Sequence, residues 1–218
     1  MEAAGIGMSD LEKLREAIIA GNWKNAAAAT HGALEAGATP LAIVTDNLVP
    51  AMDEVGRLFE CEEYFVPEML LSARAMKASM EILRPLLAAA GTEPVGRVVI
   101  GTVKGDLHDI GKNLVASMLE GGGFEVIDLG ADVAPERFIE AVNTRHANLV
   151  ALSALLTVTM PSMKTTIAAI EAAGLRDKVK IMVGGAPVTQ QYADAIGADG
   201  YSESAGGAVA LARRLVGV

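Results

Sequence analysis

The segment Asp106-Leu107-His108-Asp109-Ile110-Gly111 holds the residue types needed to present an imidazole. A carboxylate two positions before a histidine can accept the proton of one ring nitrogen. That bond fixes the tautomer and raises the basicity of the nitrogen left over, which is then suited to a metal. Gly105 and Gly111 bracket the segment and let backbone come close to a ligand. Two readings stay open for His108: a loop histidine satisfied by a neighbour, or a metal ligand. A zinc site built from protein alone is disfavoured. His31 and His146 lie far off in sequence on predicted helices, and no His-x-x-x-His or Cys-x-x-Cys pair occurs. A metal held by His108 would therefore bring its other ligands with it, as a macrocycle does.

The surroundings say where this imidazole sits. An apolar run, Arg97 to Val103, precedes it, and an amphipathic run opens at Ile110. That is strand, loop, helix, with the histidine leaving the carboxyl end of the strand, where open α/β sheets bind ligands. Further apolar runs of strand length are predicted at Glu125–Leu129, Leu149–Ser153 and Val179–Val183, with a short one near Asp199–Ser202. Helical stretches lie between and after them: Ile110–Glu120, Pro135–Asn143, Met160–Ala173, Gln190–Ile196 and Ala205–Leu215. Alternation of this kind implies a parallel sheet with helices on both faces, in a flavodoxin-like, Rossmann-like order of five strands. Two further segments reach the same predicted edge. Ser153, Thr157 and Thr159, with Leu155 between, come at and after the end of the third strand, and their hydroxyls either cap the next helix or line a polar slot. Gly184-Gly185 follows the fourth, either as a plain turn or as a bed for a bulky ligand tail. Neither a Gly-x-Gly-x-x-Gly nor a Gly-x-x-x-x-Gly-Lys-Ser/Thr loop is present, so ordinary nucleotide phosphate loops are not indicated.

Upstream, the pattern is helical only. Ser9 and Glu12 form a capping box, and Thr39-Pro40 and Pro67 open the third and fourth helices. The third carries Leu41, Val44, Leu48, Met52, Val55 and Phe59; the fourth carries Met69, Leu70, Ala73, Met76, Met80 and Leu83. Phe59, Val66, Met69 and Met76 read first as core, although methionine also suits an adaptable ligand surface. The predicted organisation is a four-helix bundle over residues 1–91 and an α/β domain over 92–218, joined by a Gly91–Gly96 linker.

Composition narrows the function. Of the 218 residues 51% are hydrophobic but only 4% aromatic, so a large aliphatic core is expected. A net charge of -9 argues against non-specific nucleic-acid binding. The single cysteine, Cys61, excludes an internal disulfide framework and a cysteine-cluster metal site. No segment reaches the ~20 apolar residues that span a bilayer, and no secretory pattern opens the chain, so a cytoplasmic protein is expected.

Taken together, Asp106-x-His108-x-x-Gly111, Ser153-x-Leu155 and Gly184-Gly185 resemble the cobalamin-binding signature of methionine synthase and of corrinoid methyl-carrier proteins. Leu58-Phe59 and Phe65-Val66-Pro67-Glu68 through Ser72-Ala73-Arg74 are similar to that family's helical cap. The resemblance implies cobalamin as cofactor, with His108 as the lower axial ligand of cobalt. It implies that Gly105, Asp106, Leu107, Asp109, Gly111, Ser153, Leu155, Thr157, Gly184, Gly185 and Ala205 surround the lower face and nucleotide tail. Phe59, Val66 and Met69 would cover the upper face, and the cap would move aside for partners. Where methionine synthases close the relay behind the aspartate with a serine, this chain has Thr159, which keeps a hydroxyl.

The implied function is a corrinoid subunit, not catalytic by itself, that carries a methyl group on cobalt in one-carbon metabolism. Its partners would be a substrate-specific methyltransferase and an acceptor methyltransferase using tetrahydrofolate or a thiol, with a reductive activation protein as a further partner. The alternative is a cobalamin-binding sensor, for which no DNA-binding segment is seen. A receiver-like signalling domain fails on one residue, because Ser153 stands where a phosphoacceptor aspartate belongs.

Overall fold

The computed structural model describes residues 9–91 and 93–218. They divide into two compact units, with the boundary between Glu93 and Pro94.

The first unit is all helical: α1 (Asp10–Ile19), α2 (Trp23–Glu35), α3 (Pro40–Ile43), α4 (Val49–Glu60) and α5 (Val66–Ala89). The capping box forms at α1, where the Ser9 hydroxyl accepts the Glu12 amide and the Glu12 side chain accepts the Ser9 amide. Gly21 ends that helix at φ +68°, and a Cβ there would lie 2.5 Å from the Cβ of Leu71. Leu14, Ile18, Ile43, Leu48, Met52, Met69, Met76 and Leu83 are fully buried. Thr30 of α2 donates to the Ser79 hydroxyl of α5 at 3.0 Å, so both buried hydroxyls are satisfied.

The helix predicted from Pro40 through Phe59 is not one α-helix. A π-helical segment, Val44–Leu48, separates α3 from α4, and the Val49 amide reaches back five residues to the Val44 carbonyl. Pro50 supplies the reason. It has no N–H to donate, and its ring would press on the carbonyl four residues back, so the ladder widens just ahead of it. Two residues placed on the predicted stripes, Leu41 and Leu70, are exposed.

The second unit is a five-stranded parallel sheet with helices in every crossover. Its elements are β1 (Arg97–Thr102), α6 (Ile110–Gly121), β2 (Glu125–Asp128), α7 (Pro135–Arg145), β3 (Leu149–Ser153), α8 (Pro161–Ala172), β4 (Lys180–Gly184), α9 (Gln190–Ala195), β5 (Gly200–Tyr201) and α10 (Ala205–Val216). The order is β2-β1-β3-β4-β5, which is the flavodoxin-like order expected. The order in which strands are added reverses between β1 and β3, and the parallel register there places Thr102 beside Ser153 and Ser153 beside Gly184. The exits of β1, β3 and β4 therefore lie level along one edge. Val99, Val150, Leu152, Ile181 and Val183 form the sheet's share of a core that also takes in Phe138 and Ile170. Gly101 of β1 makes room for Phe138, since a Cβ there would meet the ring at 2.8 Å.

Phe138 is fully buried. Phe138→Ala should lower the stability of the sheet unit by about 3–5 kcal/mol, read from urea unfolding followed by circular dichroism. A loss below ~1 kcal/mol would mean that Gly101 and Phe138 do not form the close contact described.

Candidate functional site

Asp106 follows β1 by a few residues and is completely buried, while the His108 side chain beside it is 50% exposed. The His108 ring Nδ1 lies 2.8 Å from Asp106 Oδ1, and the His108 amide donates to the same oxygen at 3.0 Å. The other oxygen, Oδ2, accepts from the Leu155 amide at 2.8 Å, the Leu156 amide at 3.3 Å and the Thr159 hydroxyl at 2.6 Å. Burial pushes the Asp106 carboxyl up. The bonds from Thr159, from the His108 and Leu155 amides and from the imidazole outweigh it and hold the carboxyl below the usual aspartate range. An ionised acceptor at Nδ1 makes that nitrogen the N–H of the neutral ring and leaves Nε2 with its lone pair. No side chain among the described residues bonds Nε2. The loop itself is pinned from β1, where the Thr102 hydroxyl donates to the His108 carbonyl at 2.9 Å.

Thr159 supplies the hydroxyl behind Asp106. It is buried, and its single hydroxyl proton faces two acceptors: Asp106 Oδ2 and, at 2.8 Å, the Leu156 carbonyl. The bond to the carboxylate is charge-assisted and is the stronger of the two. The threonine methyl does not prevent the contact.

The remaining predicted residues separate into groups. Gly105, at φ +87°, turns the chain just before Asp106. Leu107 is 75% exposed and Leu155 42%. Asp109 stands at the start of α6 and accepts from Asn113, and Gly111 has open space where a Cβ would stand. Ser153 closes β3 and is half-buried, and Thr157 is exposed. Ala205 is buried in the first turn of α10. Phe59, Val66 and Met69 belong to the helical unit: Phe59 is half-buried, Val66 is exposed, and Met69 is fully buried on the α5 stripe with Met76 and Leu83. That stripe makes Met69 a core side chain, whereas Phe65, in the cap-like motif but not among the expected covering residues, is exposed.

Gly184 and Gly185 differ. A Cβ on Gly184 would meet nothing nearer than the Ser202 carbonyl oxygen, at 3.5 Å. On Gly185 it would lie 1.9 Å from the Ala154 carbonyl oxygen, and φ there is +129°. Gly185 is thus required by the protein's own backbone, whatever lies on the edge, and only Gly184 leaves free space.

Three exposed apolar residues at the same edge were not predicted: Ile110, Leu156 and Val158. With Leu107 and Leu155 they give the β1 and β3 exits, which also carry the half-exposed imidazole, a set of exposed apolar side chains. Exposed apolar side chains gathered in one place mark a ligand or partner surface. Among the described residues no group of three His, Cys, Asp or Glu forms a metal cluster. The donor is a lone histidine framed by apolar surface, which suits a large group carrying its own metal and in-plane ligands.

Comparison with known proteins decides the family. The B12 binding domain matches residues 96–210, and a second B12 binding domain matches residues 10–84. The chain belongs to the B12-binding family. Its cofactor is cobalamin. This B12-binding chain is 42% identical over 207 residues to dimethylamine corrinoid protein 1 of Methanosarcina mazei, covering 94% of this chain and 95% of that one. It is 44% identical over 202 residues to trimethylamine corrinoid protein 2 of the same organism, with 92% and 93% covered. Its fold matches a chain of the methanol:cobalamin methyltransferase complex MtaBC from Methanosarcina barkeri at a TM-score of 0.85 and 30% identity, covering 96% of this chain and 80% of that one. Among its described residues no helix is long and apolar enough to cross a membrane.

The two glycines can be separated without cofactor. Gly185→Ala should lower the thermal stability of the apoprotein, because Ala154 blocks the Cβ. Gly184→Ala should leave it within about 0.5 kcal/mol of wild type. Equal thermal unfolding of both variants would contradict the assignment of Gly185 to backbone packing.

Proposed function

We propose that this protein carries a methyl group on the cobalt of cobalamin, with His108 as the lower axial ligand. The group would pass between a substrate:corrinoid methyltransferase and a second methyltransferase whose acceptor is tetrahydrofolate or a thiol. The observation that carries this reading is the unpartnered Nε2 of a half-exposed imidazole, tied at Nδ1 to a buried carboxylate, with exposed apolar side chains on the same β1 and β3 exits.

The residues fit the group. An imidazole fixed as the Nδ1–H tautomer offers a lone pair at Nε2. Leu107, Ile110, Leu155, Leu156 and Val158 offer apolar surface for a macrocycle, and Gly184 leaves room at the edge for a tail. When bound, the corrinoid supplies the centre that takes up and hands on the methyl group. The protein orients it and manages one proton. Asp106 fixes the ring's tautomer and orientation through Nδ1. A proton arriving at the ring could be shared along His108, Asp106 and Thr159. A proton on Asp106 Oδ2 would turn the Thr159 hydroxyl into an acceptor, and its own proton would then go to the Leu156 carbonyl at 2.8 Å. Threonine keeps the hydroxyl that such a relay needs, within reach of Asp106 Oδ2.

The named relatives support a methylamine-specific methyltransferase as the first partner, since two of them are dimethylamine and trimethylamine corrinoid proteins. The structural match to a methanol:cobalamin methyltransferase complex supports a protein partner of the same general kind.

Cobalamin-loaded protein, reduced and mixed with purified methylamine, methanol or methoxy-aromatic methyltransferases and their substrates, should be methylated by one of them. Absorbance reports the change at cobalt. Protein that keeps its cobalamin but takes a methyl group from none of these partners would contradict the carrier reading and favour a sensor.

A further inference from the structure

Asp106 is held from two sides. The β3 exit takes its carboxylate, through Leu155, Leu156 and Thr159. The β2 exit takes its backbone, and one residue does most of that. After β2 the chain continues beside β1: the Leu129 amide donates to the Ile100 carbonyl at 2.8 Å, the Thr102 amide to Gly130 at 2.9 Å and the Val133 amide to Thr102 at 3.0 Å. The next contact reaches the histidine loop. The Asp132 amide donates to the Asp106 carbonyl at 2.9 Å. Asp132 Oδ1 accepts the Gly105 amide at 2.8 Å, and Oδ2 pairs with Lys104 at 3.0 Å. One residue thus pins both ends of the Gly105-Asp106 dipeptide.

Asp132 does this from φ +55°, in the left-handed region. Aspartate tolerates that region better than most residues with a Cβ, but the conformation still costs energy and persists only where surrounding contacts enforce it. The Lys104 side chain is 58% exposed, so its ion pair contributes little, and the weight falls on the two backbone contacts. Gly105, at φ +87°, is the most permissive point of the loop, and its amide is the group that Asp132 captures.

We propose that Asp132 is a positioning residue for His108: it fixes the Gly105-Asp106 backbone so that the Asp106 carboxylate meets the imidazole and Nε2 points where a ligand needs it. It touches neither the ring nor the carboxylate. The proposal rests on ligation by His108. Displacement of a donor by a fraction of an ångström is enough to weaken it, so a residue that sets the loop's place sets the ligand's strength.

Three variants separate the contacts. Asp132→Gly keeps the left-handed backbone and the amide but removes the side chain. Asp132→Asn keeps an acceptor for Gly105 and removes the charge. Lys104→Met removes only the ion pair. In apoprotein, Asp132→Gly should exchange the Gly105 amide about three- to tenfold faster and shift the His108 ring nitrogen resonances. Loaded with cobalt(II) cobalamin, it should lose part of the protein-nitrogen splitting in spin resonance. Asp132→Asn and Lys104→Met should stay near wild type in all three readouts. If Asp132→Gly fails to fold, Asp132→Ser, too short to reach Gly105, takes its place in the same comparison. Wild-type exchange in the side-chain deletion would overturn the proposal. So would faster exchange with unchanged ring resonances and unchanged splitting, because Asp132 would then be merely structural. The apoprotein readouts need no cofactor. Absence of protein-nitrogen splitting in wild type would therefore strike at His108 ligation alone and leave Asp132 to be judged on exchange and ring resonances.

Discussion

A carboxylate buried as completely as that of Asp106 costs several kcal/mol unless hydrogen bonds replace the water it has lost. Five donors reach it: two from His108, the amides of Leu155 and Leu156, and the Thr159 hydroxyl. They come from two loops separated by about fifty positions in sequence, so the charge can be satisfied only when both loops are in place. Satisfaction of the charge and placement of the histidine are therefore one event. The negative oxygen that ends up facing Nδ1 sets the tautomer, and the tautomer leaves Nε2 as the donor.

The sheet order makes that meeting possible. β1 and β3 are neighbours, but their crossovers depart to opposite sides, which leaves a crevice at their carboxyl ends. The histidine loop leaves β1 into that crevice, with the β3 exit on one flank and the β2 exit on the other. Gly185 adds a further coupling on the β3 side, because the β4 exit can lie against Ala154 only without a Cβ. Apolar side chains that would normally be buried stand exposed around the crevice, a departure from ordinary burial that function explains better than folding does.

Much of this was legible beforehand. Strands β1 and β3 are short runs rich in Val, Ile and Leu, and each is followed by a charged or hydroxyl-bearing exit, so type, order and edge could all be read. The pairing of Asp106 with His108 was legible because it is local. What escaped was non-local or depended on backbone shape. Asp132 stands far along the chain from Gly105, and only the β2-β1 pairing brings them together; its visible signal was a carboxylate and a glycine just past a predicted strand. Pro50 lay inside a helical stripe, and apolar spacing does not register a missing amide. Gly185 was expected either as a plain turn or as a bed for a ligand tail, and its close approach to the Ala154 carbonyl was visible only in the structure. Met69, by contrast, read first as core from its spacing, and that is where its side chain lies. Phe65, Leu156 and Val158 lie outside the predicted stripes and Ile110 only opens one, so their exposure could be seen only in three dimensions.

The most direct measurement of the central claim is spin resonance of the cobalt(II) cobalamin-loaded protein, grown once with natural histidine and once with ¹⁵N-histidine. Ligation through His108 predicts nitrogen splitting that changes from a triplet to a doublet pattern on labelling and disappears in His108→Ala. A triplet that survives histidine labelling would show that the cofactor's own base, and not the imidazole, holds the metal, and would contradict the role assigned to the Asp106–His108 pair.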